Sequence, residues 1–582
     1  MDADKKLITR KDRPWWRQAP VVLFLVVLSN LLASTTTQAQ NLDPAERAAR
    51  EHEQRLKQEE LRREEEWRRN RQDPDIFLQP DQLDDDAWVG DDQARCFDIR
   101  EIQVHGVTQF TDEKIAAITD PYRNQCLGIR EFNEIVKQLS NLYMQKGYVT
   151  SRAYIQPQNL KSGLLEVLVV EGQLESLLPV DDAELSARQL RWAFPAQDNE
   201  ILSLRDLEQG LENLNRLRQN NASMDLTPGE QPGYTRVMVS NLGSRWLSGG
   251  FSLNNSGSKA TGETLGTVHA SWDNLTRSND NVYLSFSHAL DAPSVAKSES
   301  YVFNYTIPYG YFLYRLSASS FNYQQLVQGS AVDFVTSGSS ASQSLSIDYL
   351  VYRGQRDKLT VASSLTRKDS KNYLEDVFLE TSSRTLYLAK LGVKYTRNIS
   401  KGTLRAGFDW SRSESWFDAT EKLVAAELDF QFDKYTADLS WSRSLFSSRS
   451  GWNFQTNLSL FYTPDDIIAS EALSLGSQYT VRGFEGAGLI GYSGGYWRNE
   501  ISKQLPLFKQ GQLTFTAGLD IGSTDTPEYV DQNREWLSGA VFSLAYYSRR
   551  FSLDVTYAQG IKSPDYIPFD ESSVYASLQI NI

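Results

Sequence analysis

Val574-Tyr575-Ala576-Ser577-Leu578-Gln579-Ile580-Asn581-Ile582 closes the chain with two kinds of residue in alternation. Side chains on a strand point to opposite faces in turn, so Val574, Ala576, Leu578, Ile580 and Ile582 form one apolar wall. Tyr575, Ser577, Gln579 and Asn581 form the other, polar wall. Phe551, Leu553, Val555 and Tyr557 repeat the pattern against Ser552, Asp554 and Thr556. Leu513, Phe515, Ala517, Leu519 and Ile521 do so against Thr514, Thr516, Gly518, Asp520 and Gly522. Strands that are apolar outside and polar inside, with their edges closed on one another, satisfy every backbone group within a bilayer. The pattern predicts an outer-membrane β-barrel.

Extending the alternation backwards gives sixteen strands within residues 245–582. They begin near 245, 262, 280, 297, 311, 342, 357, 385, 401, 430, 452, 494, 511, 536, 550 and 572. An even number suits a single-chain bacterial barrel. The longest strand-free stretch, 464–493, carries Val481-Arg482-Gly483-Phe484 among several glycines. A long loop without regular structure is usually functional or disordered. On its own, Arg482 reads as a surface arginine of a glycine-rich loop.

Composition agrees with a barrel. Mean hydropathy is −0.46, far too polar for a helical membrane protein of this length. Aromatic residues make up 12% of the chain, with 28 tyrosines, as interfacial girdles demand; a large soluble β protein would share that feature. A net charge of −14 argues against a nucleic-acid surface.

The chain opens with Lys5, Lys6, Arg10, Lys11, Arg13 and Arg17, an apolar run from Ala19 to Ala33, and Thr37-Gln38-Ala39. This is the pattern of an export signal, with cleavage expected after Ala39 and residues 1–39 removed. Export to an oxidising compartment would let Cys96 and Cys126, the two cysteines, form a disulfide; two free buried thiols are the other reading. A bridge closing that loop is worth about 3–4 kcal/mol.

Residues 40–72 read as one charged helix, opened by Asp43-Pro44 and holding nine acidic and nine basic side chains between 41 and 72. Such a helix either bridges solvent, held by its own i,i+4 pairs, or lies in the water-filled lumen of the barrel as a plug. Residues 73–93 follow with eight aspartates, no basic residue, Pro74 and Pro80, the composition of an extended acidic linker.

Two small α/β modules then share one internal order, at 94–172 and 173–241. In the first, Phe97–Val104 reads as a strand, 112–119 as a short helix and 129–145 as a long one. Strands at 149–155 and 164–170 complete it. In the second, strands at 174–178, 224–226 and 235–239 surround helices at 186–194 and after Ser203, the latter presenting Leu204, Leu207, Leu211, Leu214 and Leu217. The leucine stripe reads as core. The exposed sheet edge is the better surface for a partner, since an extended chain can add to it as a further strand.

Taken together, the leading charged helix, the linker, the paired modules, sixteen strands and Tyr479-Thr480-Val481-Arg482-Gly483-Phe484 resemble the TpsB transporters of two-partner secretion, within the outer-membrane assembly-factor superfamily. Tyr496-Trp497-Arg498-Asn499-Glu500 and Gly518-Leu519-Asp520-Ile521-Gly522 look like that family's next two motifs. The resemblance covers the whole mature chain. It implies that the modules are POTRA domains, and that the loop folds back into the lumen with Arg482 paired to Asp520 on the wall. Alternation independently places Asp520 on the polar face; Arg498 and Glu500 are further candidates for inward polar residues. The implied partner is a large unfolded exoprotein, docking on the POTRA domains in the periplasm and leaving through the pore. The implied surroundings are outer-membrane lipid, with no nucleic acid. A barrel-insertion factor shares the barrel and loop motif but usually has more POTRA domains and no leading helix. A plain diffusion pore would leave the modules unexplained.

No enzyme is expected, and no cofactor. Gly486-Ala487-Gly488-Leu489-Ile490-Gly491 matches a dinucleotide-binding pattern and Gly491-Tyr492-Ser493-Gly494-Gly495 a nucleophile elbow, yet no strand–turn–helix surrounds either. His52, His105, His269 and His288 are scattered without metal-ligand spacing.

Overall fold

The computed structural model describes residues 53–56, 96–180, 184–243, 245–328, 333–420, 422–423, 428–447, 450–484, 488–507, 511–525, 534–565, 567 and 572–582. The export signal, the acidic linker and all but one turn of the charged helix lie outside them.

The first module is a three-stranded sheet ordered Glu101–His105, Leu164–Val170, Arg152–Tyr154, with the first two strands parallel. The strand expected over 97–104 is two strands that part at Arg100. Phe97–Ile99 pairs instead with Gln125–Leu127, directly beside the disulfide that joins Cys96 to Cys126. Hydrophobic alternation cannot register such a change of partner, because both halves bury apolar residues. The long helix Ile129–Lys146 lays Phe132, Ile135, Leu139 and Tyr143 against Leu165 and Val167. Glu131 accepts from the Gly128 N–H at its start (2.8 Å), and Gly147, at φ 97°, ends it in the left-handed conformation.

The second module repeats the plan in the order Gln173–Pro179, Tyr234–Asn241, Ala222–Pro228. Ser203 and Ser186 cap its helices, Leu204–Asn215 and Ala187–Ala193. Leu207, Leu211 and Leu214 fill the core beneath.

A closed antiparallel barrel of 16 strands runs from Leu247–Asn254 to Ser573–Asn581. The last strand pairs with the first over Ser577–Asn581, so no edge is left open. Leu519 (56% exposed) and Ile521 (41%) face outward, while Asp520 between them is fully buried. Inter-strand turns at the end facing the modules are short; the long connections stand at the far end. The middle strands reach 20 residues in Phe334–Arg353, about twice what a bilayer needs, and so project beyond it. That strand begins eight residues before the expected 342. After Val335 its early outward positions, Ser337, Ser339, Ala341 and Gln343, are small or polar and give no run of large apolar residues for alternation to detect.

Candidate functional site in the barrel lumen

The loop after the eleventh strand, Trp452–Tyr462, turns back into the barrel. It is not strand-free: Leu473–Leu475 pairs with Leu489–Gly491, segments too short for alternation to reveal. Gly488–Gly495 therefore lies in a short strand pair and the start of the twelfth strand, Ser493–Leu507, with no helix after Ser493. Val481 and Phe484 are fully buried with Leu475, Leu489, Leu537 and Ile567, an apolar knob pressed against the wall. Gly483 sits between them at φ 96°, a conformation that favours glycine. Gly539 supplies the receiving surface, since a Cβ there would collide with the Arg482 carbonyl.

This packing carries Arg482 to the thirteenth strand, Gly511–Thr524. Its Nε donates to Asp520 Oδ2 at 2.6 Å and its Nη2 to Oδ1 at 2.8 Å, a two-pronged pair. The Arg482 backbone N–H adds a third bond to Oδ2 (3.2 Å), and Nη2 reaches Glu500 Oε1 at 2.6 Å. Arg498, directly across from Asp520 in the sheet, lies 3.4 Å from Glu500 and donates to the Tyr479 carbonyl at 3.3 Å. Two cations and two anions thus balance. Burial works against the Arg482 charge, but the bonds to Asp520 and the Glu500 carboxylate hold the guanidinium above its ordinary value. The residues singled out in the sequence as loop motif, wall partner and inward polar pair therefore stand within one cluster.

A second cluster left no trace in the sequence. Glu471, in the same loop, accepts from Lys368 and Lys434, each at 2.7 Å, on the seventh and tenth strands. Burial favours the neutral acid, yet the two ammonium groups prevail and hold its carboxyl well below the usual range. Lys368 also meets Glu53, in the described helical turn 53–56, at 2.6 Å.

At the other end, the second module is fastened to the barrel mouth. Arg353 meets Glu208 at 3.1 Å and Glu212 at 2.9 Å, and Lys358 meets Glu212 at 2.6 Å. The turn after the second strand buries Ser278, Asn279 and Asp280 completely. There the Asn279 carbonyl accepts from Arg216 at 2.6 Å and Ser278 from Arg188 at 2.8 Å. Among the described residues no group of three or more metal-ligating side chains comes together.

Residues 233–546 match the family described as "Haemolysin secretion/activation protein ShlB/FhaC/HecB". The chain belongs to the ShlB/FhaC/HecB family. Residues 97–172 match its ShlB-type POTRA domain and 174–228 a second POTRA domain. Within this family the chain is 31% identical over 484 residues to the outer membrane transporter CdiB of Dickeya dadantii, covering 82% of this chain and 85% of that one. It is 30% identical over 432 residues to the hemolysin transporter protein ShlB of Serratia marcescens, covering 74% and 76%. The solved CdiB from Escherichia coli superposes with a TM-score of 0.84 at 27% identity, covering 93% of this chain and all of that one. As a ShlB/FhaC/HecB protein, the chain is an outer-membrane transporter of two-partner secretion, its POTRA domains on the periplasmic side.

Proposed function

We propose that this transporter captures a large exoprotein in unfolded form on its POTRA domains and passes it outward through the lumen, without nucleotide hydrolysis. The observation that carries the reading is the fastening of the second POTRA domain to the barrel mouth through Arg353, Lys358, Glu208 and Glu212. A chain held on that domain is held at the pore entrance. Among the described residues the sheet edges at Arg152–Tyr154 and Ala222–Pro228 are each paired on one side only, and an extended chain adds there through backbone hydrogen bonds. No nucleotide is available at an outer membrane, so folding of the exported chain outside supplies the outward bias. The charged segment 40–72 closes the resting pore and must leave it; Glu53 on Lys368 supports this. The Arg482–Asp520 pair holds the lumen loop in the form that lets a chain pass.

The test is secretion of the exoprotein encoded beside this transporter, with the full chain and with residues 97–240 removed. Appearance of that one protein in the medium, abolished by the deletion, is the expected outcome. Secretion that persists without the POTRA domains would refute capture by them. Unaltered conductance after deletion of 41–72 would refute the plug.

A further inference from the structure

We infer that the lumen wall carries a built seat for the helical turn 53–56, and that Glu471 of the lumen loop is the anion with which Glu53 competes for Lys368. The inference rests on the plug reading and gives it a mechanism for release.

The seat straddles three strands. Lys368 belongs to the seventh strand and Phe321 to the fifth, Phe312–Val327, both facing the lumen. Between them the sixth strand presents Ser340, paired with Phe321, and Ser342, paired with Lys368. Two strand spacings are roughly 9–10 Å, close to the diameter of a helix, and the small serines leave room for one. Residues 53 and 55 project about 200° apart on a helix, so a turn over the serines reaches both flanks at once. Glu53 meets Lys368 at 2.6 Å on one side. On the other, the buried Arg55 guanidinium lies 5.9 Å from the centre of the Phe321 ring. The loop closes the third side, where Ser477 donates to Gln54 Oε1 at 3.5 Å.

The charges decide how tightly the turn is held. Glu471 keeps one oxygen on Lys368 and the other on Lys434. With Glu53 present, two lysines face two carboxylates. With the helix gone, Lys368 still has Glu471, so departure leaves no cation stranded. An anion at 471 therefore lowers the cost of release as well as repelling Glu53 directly. The seat is half-wet at Glu53, which is 57% exposed, so each effect is modest.

The experiment is conductance of the full chain in planar bilayers, with heat-modifiability on gels confirming a folded barrel for every variant. Glu53→Gln is expected to raise the open-to-closed ratio roughly two- to fivefold towards that of the 41–72 deletion. Glu471→Gln is expected to lower it by a similar factor. The exchange Glu53→Lys with Lys368→Glu is expected to lower the ratio below the parent's, because the carboxylate placed at 368 and Glu471 both hold the ammonium placed at 53. If Glu53→Gln has no effect while the deletion opens the pore, the seat is wrong although the plug stands. If Glu471→Gln opens the pore, Glu471 is scaffold and the competition is refuted. If the deletion itself changes nothing, the plug reading fails first, which separates the two ideas.

Discussion

Arg482 and Asp520 show how a charge becomes tolerable inside a barrel. Asp520 has no exposed surface, and Arg482 has side-chain exposure of 8%. Neither survives there singly, since an unpaired buried charge costs several kcal/mol more than the pair it came from. Arg482→Ala therefore strands Asp520 beside Arg498 alone, 3.9 Å away, and should cost about 3–5 kcal/mol of loop anchorage. The barrel keeps its strand ladder, so the expected result is a folded, heat-modifiable protein that no longer secretes; full secretion would remove the loop from the mechanism. Arg482→Lys should lose most of the function as well, because one ammonium cannot span both oxygens. This pair was legible for two separate reasons, the loop motif and the parity that places Asp520 among Gly518 and Gly522 on the polar face. Glu471 and Lys368 were not. Their contact spans 103 residues, and a lysine on the charge-rich seventh strand looks like any solvated side chain.

Whole elements tell a similar story with different physics. The strands that cross lipid announce themselves, because an apolar wall is imposed on every second residue. The early part of Phe334–Arg353, beyond the lipid, has no such requirement and stays silent. The split at Arg100 was hidden because changing partner alters no periodicity. The docking of Leu204–Asn215 onto the barrel mouth was hidden too: the leucine stripe marks only the face turned to the core, and the opposite face gives no sign that Arg353 meets Glu208 and Glu212. Arg353→Met should remove a buried cation from both Glu208 and Glu212, loosening the POTRA–barrel joint by about 3–5 kcal/mol. Faster proteolysis within 216–245 would register it; an unchanged pattern would mean that the Asn279 turn holds the joint unaided. In the first POTRA domain, burial works against ionisation of Glu171, but bonds from Thr108, Tyr143 and Gln109 outweigh it and lower the pKa. A lowered folded value means the stabilisation is present above the ordinary value of 4.5 and lost as pH falls through the folded one. Protease resistance of 97–172 in the intact chain should accordingly fall in acid, and Glu171→Gln should flatten that dependence. An identical acid profile in the variant would assign the loss to other groups.

At the scale of the whole molecule, a 16-strand barrel is wide enough for an aqueous channel, yet the lumen holds the folded-back loop and the turn 53–56. An unfolded chain needs little more than its own width, so the question is which obstruction moves. The loop is fixed by a buried ion pair, three hydrogen bonds from Arg482 to Asp520, and an apolar knob of fully buried Val481 and Phe484. Among the described residues, the contacts of the turn include a half-exposed ion pair, a cation–ring contact and a long hydrogen bond. A half-exposed ion pair is a weaker anchor than a buried one, so the turn is the obstruction expected to leave. A covalent tether distinguishes the two cleanly, because Cys96 and Cys126 are already bonded to each other and two new thiols would stand alone. Gln54→Cys with Ser477→Cys places one thiol on each side of the contact, and a short cleavable bis-maleimide joins them. The tethered transporter should stop secreting and fall to the lowest conductance, and cleaving the linker should restore both. Each single-cysteine variant, treated alike, should behave as the parent. Undiminished secretion through the tethered protein would mean that the exported chain passes beside a seated helix, and that the lumen is shared rather than cleared.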